Sequence, residues 1–252
     1  MTLEWNTWWQ RTYNVLGNPI VRKKGWLQTK QTIWRDKNDY SYESGRQNIM
    51  MLEWFLCNNW TYNPLLEEIN KDRIFNILKS GDTNDRFNAL INRRSMIESA
   101  KILTDRIIND ERITKENPCS ILAHSNGWVI WALVRIMLDQ AWQWYKISNL
   151  TTLSSATDWS KAISELPVGW FYSSLKDMAP DSDVIKAIRK DWRIDNNLIT
   201  TEDEVFSQKE LKAWKWEQSF LKQWHMDGFI WEAGIRRATA EEINKVMLTK
   251  IR

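Results

Sequence analysis

Eighteen tryptophans have to be housed somewhere in this chain of 252 residues. Each indole buries a large apolar area and leaves an N–H that needs an acceptor. The fold must therefore enclose a core of unusually large side chains or present some of them to a partner. Glycine and proline, at 8 and 5 residues, offer few breaks to regular structure. With 43% hydrophobic and 27% charged residues, the composition fits a soluble globular chain and excludes disorder and a disulfide scaffold.

Helical spacing dominates the pattern. Trp5, Trp8, Trp9, Thr12 and Leu16 form one stripe of a helix, which Gly17 and Pro19 end. Apolar residues fill most of the circumference of a helix expected over 46–60. Asn63-Pro64 reads as a helix start that Gly81 closes, and Asn117-Pro118 repeats that signal. Residues 83–111 read as a long amphipathic helix burying Phe87, Leu90, Ile97, Ala100, Leu103 and Ile107. The stretch from Pro118 to about Lys146 reads as a central helix with Trp131 and Trp142 in the core. Its Arg135 and Asp139 are spaced to pair on one face.

Ser148 to Thr157 is rich in serine and threonine and reads as a loop or linker. Charge shifts across it, from a net +4 over 1–150 to −1 over 151–252. The reading is a helical core region over 1–150 and a smaller helical region over 151–252, or one continuous domain. A small β-hairpin is expected near 193–200. Thr201 with Glu204, and Thr239 with Glu242, look like capping boxes opening two further helices. The fold class expected is all-α, a bundle-like helical globule.

On a helix from Glu204 to Met226, Leu211, Ala213, Trp214, Trp216, Phe220, Leu221 and Trp224 cover more than half the circumference. Glu217 projects into that arc and requires a partner, either from another helix or from a bound molecule. Exposed tryptophans are enriched at recognition hot spots. Two readings stand: an oversized core, or an aromatic contact surface. The candidate binding residues are Trp214, Trp216, Trp224 and Trp231, with Lys215, Glu217 and Arg236 beside them.

Motifs for catalysis are scarce. No Gly-rich phosphate loop, no zinc-protease helix and no Gly-x-Ser-x-Gly elbow occurs, so no catalytic residue, metal or cofactor is expected. His124 precedes Ser125, but neighbours on a helix point about 100° apart, which suits proton transfer poorly. Pro180-Asp181 with Glu210-Leu211-Lys212 matches the PD-(D/E)xK pattern of metal-dependent nucleases, though it places Glu210 and Lys212 on a helix instead of a strand. Lysines and arginines interleaved with tryptophans over 209–237 would allow single-stranded nucleic acid to bind by stacking and phosphate contacts. Two cysteines without a framework, and no membrane-length apolar run, point to a cytoplasmic protein.

The length and the start Leu3-Glu4-Trp5-Asn6-Thr7-Trp8-Trp9 resemble the Tin type of phage-exclusion protein. The chain is similar more widely to accessory proteins of temperate phages and prophages. The resemblance implies an anti-phage defence factor that interferes with a phage single-stranded-DNA-binding protein. The expectation overall is a non-enzymatic, helical, cytoplasmic interaction protein whose partner is another protein. Direct nucleic-acid binding and a nuclease are the alternatives.

Overall fold

The computed structural model describes residues 42–52, 59–79, 95–125, 127–155, 176–179, 181–190, 196–200, 217–221 and 233–249. In chain order these form β1 (Gln47–Leu52), α1 (Asn59–Ile69), β2 (Phe75–Lys79), α2 (Met96–Asn109), β3 (Cys119–His124) and α3 (Gly127–Gln140). There follow β4 (Ile147–Leu153), α4 (Asp183–Lys190), β5 (Asn196–Thr200), β6 (Glu217–Leu221) and α5 (Ala233–Thr249). The six strands make one sheet in the order β2-β1-β3-β4-β5-β6. Every pairing is parallel. The all-α expectation is therefore wrong; the architecture is α/β.

The physical reason lies in how a parallel sheet buries its strands. Helices cover both faces, so a strand reads as a continuous apolar run with no alternation. Ile49-Met50-Met51 and Ile121-Leu122-Ala123 are such runs, and every one of these residues is buried. Along β1 the side chains alternate between layers, as a strand requires. Met50 joins Leu78, Ile121 and Ala123 against α2, α3 and α4. Ile49 and Met51 join Ile77 and Leu122 against α1 and α5. Strand β4 was expected to be a linker because of its threonines and serine, yet Thr151 and Thr152 are fully buried in it. The boundary placed at residue 150 falls inside this strand. Threonine is β-branched and fits a pleated surface, which outweighs its polarity here.

Other elements differ in the same way. Residues 46–60 hold β1 and only the start of α1, which runs through Pro64. The long helix expected over 83–111 is, within the described residues, α2 alone. Its buried face includes Ala100, Leu103 and Ile107 as the spacing predicts, while Phe87 and Leu90 lie outside the described residues. Residues 196–200 form an interior parallel strand, not a hairpin. Thr239 lies inside α5, where its hydroxyl donates to the Ile235 carbonyl at 2.9 Å, so it is not the cap of a new helix. The first stripe, Trp5 to Leu16, lies outside the described residues.

Buried side-chain amides tie down the loops at the amino ends of the strands. Asn48 donates to the carbonyls of Arg112 and Asn117 at 2.8 and 3.1 Å. Asn76 accepts from the Glu43 amide at 2.9 Å and donates back to its carbonyl at 3.0 Å. Lys146 donates to the Ile113 carbonyl at 2.7 Å, and burial lowers its pKa. The amino edge of the sheet is thus fastened by bonds that close on the protein itself.

One contact ties α2 to the segment before α4. Asp177 accepts a bond from the Met96 amide at 2.7 Å, beside the Ser95–Glu98 capping box. Desolvation pushes this carboxyl up to about 6, with nearby Glu98 adding to the shift and the Met96 bond opposing it. Its folded pKa exceeds the unfolded one, so the folded state holds more protons between about pH 4 and 6. The contribution of Asp177 is therefore full below that window and lost as pH rises through about 6. Thermal melts from pH 4 to 7 should show the trend flatten in Asp177→Asn. An unchanged pH slope in the variant would show that another group sets it.

Candidate active site at the end of the third strand

The strand order reverses beside β1. The chain goes from β1 out to β2, then returns past β1 to β3. Such a reversal opens a crevice outside the carboxyl ends of the strands, where open α/β sheets bind ligands. β3 ends in that crevice, and α3 begins at Gly127, three residues after His124. Ser125 makes the turn between them.

Ser125 has a backbone φ of +50°, in the left-handed region. A residue with a Cβ pays roughly 1–3 kcal/mol to stay there. Its amide donates to the carbonyl of Leu153, the last residue of β4, at 3.0 Å. Its side chain is fully buried, and its Oγ has no hydrogen-bond partner among the described residues. A strained serine on a strand–turn–helix, with the amino end of a helix behind it, is the geometry of a nucleophile elbow. The positive end of the helix favours the negative charge that develops on an attacked carbonyl oxygen.

The sequence around this turn is Ala123-His124-Ser125-Asn126-Gly127. A search for Gly-x-Ser-x-Gly misses it because Ala123 stands where the pattern has glycine. Ala123 is fully buried, and the small side chain is what the tight turn demands there. His124 is also fully buried, in β3 and not on a helix. By strand alternation it lies on the face of Leu122, beneath α1 and α5.

The remaining nucleophile type on the described elements is Cys119. It is fully buried at the amino end of β3, and desolvation pushes its thiol far above the ordinary range. Such a thiol is inert. A cavity of about 340 Å³, lined by Glu43, Arg46, Arg73 and Phe75 among others, lies at the amino end of β2. It is on the opposite edge of the sheet from Ser125, and Arg46 there is already paired with Glu43.

Of the residues expected to bind a partner, Glu217 and Arg236 fall among the described ones. Trp214, Lys215, Trp216, Trp224 and Trp231 lie outside the described residues. Glu217 opens β6, so the helix meant to carry the aromatic arc through 217–221 is a strand there. Arg236 lies on α5 and is half-buried. Asp181 is exposed on the turn before α4, and Glu210 and Lys212 lie outside the described residues. Among the described residues no cluster of acidic, histidine or cysteine side chains could hold a metal ion. None of their helices is long and apolar enough to cross a membrane.

No protein-family model matches the chain, and no curated protein does. Solved structures do match. The chain is similar to the RedJ thioesterase of the prodiginine pathway in Streptomyces coelicolor, at 12% identity and a TM-score of 0.54, covering 87% of this chain and 95% of that one. A hydrolase from Oleispira antarctica matches at 11% identity and 0.52, covering 80% and 92%. A predicted CIB-like hydrolase from Thermoplasma acidophilum matches at 11% and 0.50, covering 85% and 91%. The fold is that of the α/β hydrolases. This overturns the reading of an all-α, non-enzymatic interaction protein.

Proposed function

We propose that the protein is a serine hydrolase that cleaves an acyl ester or thioester, with Ser125 as nucleophile. The observation that carries this is the strained, buried, unpartnered Ser125 at the strand-order reversal. Its Oγ attacks the acyl carbon, a base takes its proton, and the same base returns a proton to the departing oxygen or sulfur. Water then cleaves the acyl-enzyme by the reverse use of that base.

The chain contains two histidines. His124 is enclosed within β3, which leaves His225 as the base. His225 follows the end of β6 by four residues in the sequence. Glu202, Asp203 and Glu204 follow the end of β5 by two to four residues. One of them supplies the carboxylate that orients the base. The order serine, acid, histidine along the chain is the order that this fold uses. Residues 201–216 and 222–232 lie outside the described residues, so these two roles rest on chain order and strand direction.

A fluorophosphonate probe tests the reading without knowledge of the substrate. The serine oxygen displaces fluoride from phosphorus and the base takes the proton. Peptide mapping should place the adduct on Ser125, and His225→Ala should slow labelling at least a hundredfold. A protein that stays unlabelled, or that is labelled elsewhere, contradicts the proposal.

A further inference from the structure

At the amino end of β2, two opposite charges line one cavity without pairing. The cavity has a volume of about 340 Å³. That falls within the range of small-molecule sites, roughly 300–1,000 Å³. One wall is the turn leading into β1, with Glu43 and Arg46. The other is the end of α1 and its turn to β2, with Glu67 and Arg73. Phe75 and Ile77 of β2, both buried, form an apolar floor. Arg46 and Glu43 neutralise each other in an ion pair. The side chains of Glu67 and Arg73 make no hydrogen bond or ion pair, with each other or elsewhere, among the described residues.

Each of these two residues stands where its own element disfavours it. Glu67 lies in the last turn of α1, at the negative end of the helix, where a cation is favoured and a carboxylate is not. That turn carries no basic residue. The adjacent Glu68 is met twice, by Lys71 at 3.3 Å and by Arg237 at 3.7 Å. Arg73 holds a left-handed φ of +53°, which glycine would hold at no steric cost. Its turn is fastened by two bonds. The Arg73 amide donates to the Asn70 carbonyl at 2.8 Å, and the Phe75 amide donates to Asn70 Oδ1 at 2.9 Å. An arginine kept in a strained, fastened turn is explained when its guanidinium has a task. The facing wall is held as firmly, by the bonds from Asn76 to the Glu43 and Arg46 carbonyls. Both walls are thus set before anything binds.

We propose that this cavity is a second ligand site, for an α-amino acid with an apolar side chain. The carboxylate of the ligand meets Arg73, its ammonium meets Glu67, and its side chain rests on Phe75 and Ile77. Charge selects this class. The two glutamates and two arginines of the lining sum to zero, so the cavity favours neither a net anion nor a net cation. A simple anion would answer Arg73 and leave Glu67 unanswered beside it. An amine would do the reverse. A zwitterion answers both at once. The forked N–H groups of a guanidinium match a carboxylate, and such bonds are about twice as strong as neutral ones. The site stands at the other end of the strands from Ser125 and does not depend on the hydrolase reading.

The test is calorimetric titration of the full chain with three probes: L-leucine, isocaproate, which lacks its ammonium, and isoamylamine, which lacks its carboxylate. L-leucine should bind one to one with a Kd below about 1 mM. Each analogue should bind at least about tenfold more weakly, because one charge of the cavity is then left unanswered. Arg73→Gln and Glu67→Gln should each weaken L-leucine binding by about tenfold to a hundredfold. Arg73→Gly should lose binding to the same degree while the melting temperature of the ligand-free protein holds or rises, because the backbone strain is relieved. That combination separates a ligand-holding arginine from one that merely supports the turn. L-leucine that fails to bind at about ten times that Kd overturns the proposal. So does binding that is unchanged in the Arg73 and Glu67 variants, which places the ligand elsewhere. Isocaproate or isoamylamine binding as tightly as L-leucine overturns it too, since the site then reads a single charge.

Discussion

Replacing Ser125 by alanine is expected to lower kcat/KM for an activated ester such as p-nitrophenyl butyrate by about 10⁴-fold or more. The same substitution should leave thermal stability unchanged or slightly higher. The two halves of this expectation come from different parts of the structure. Activity falls because the attacking oxygen is gone, and neighbouring groups that act as a unit with it then have little to do. Stability holds because the hydroxyl contributes no hydrogen bond to the described structure. Burying such a group costs roughly 1–3 kcal/mol, which alanine avoids. Ser125→Gly should stabilise further, since the φ of +50° suits glycine. An ordinary structural serine would behave in the opposite sense, losing stability and sparing activity. Initial rates with purified variants, set beside their melting curves, distinguish the two. Retention of more than a few per cent of wild-type activity in Ser125→Ala would place the nucleophile elsewhere.

How much of this was legible in the residues follows from the physics of each element. Amphipathic helices declare themselves, because one face is buried and the other is solvated. The buried face of α2, with Ala100, Leu103 and Ile107, matches its 3.6-residue spacing. The strongly apolar α3 was also legible as a core helix. Interior parallel strands leave no such mark. Cys119–His124 is buried at every position, so it joins without a break the helical pattern that follows. Asn117-Pro118 was a true boundary signal, but it opens a strand instead of a helix. The site was half visible. His124-Ser125 stands out as a pair, and only the premise that both lie on a helix counts against it. Once β3 ends at His124 and the turn is made at Ser125, that premise goes. The pattern small-x-Ser-x-Gly was present throughout, disguised by an alanine in its first place. The order of strands, which puts the serine at a crevice, is a long-range property and has no local signature.

Trp131→Ala is expected to destabilise the protein by roughly 3–5 kcal/mol, the range for truncating a large buried aromatic. Trp131 is 0% exposed on α3 and packs in the cluster with Met50, Ile121 and Leu138. A typical domain has a stability of about 5–15 kcal/mol, so this one change could remove most of it. Its indole nitrogen has no hydrogen-bond partner among the described residues. That sets up a contrast within the same site. Trp131→Phe loses part of the buried area but also removes a desolvated N–H, so it should cost much less, about 1–2 kcal/mol. Trp142 was expected in the same core, yet it lies past the end of α3, 62% exposed, on a turn with a φ of +58°. Trp142→Gly should therefore change stability by no more than about 0.5 kcal/mol, or improve it by easing the backbone. Urea unfolding of the three variants gives the ordering directly. Equal losses for Trp131→Ala and Trp142→Gly would mean that the indole buried on α3 does not anchor the core. The ordering stated here instead separates two tryptophans of the described residues, with Trp131 in the core carrying stability and Trp142 on an exposed turn contributing little to it.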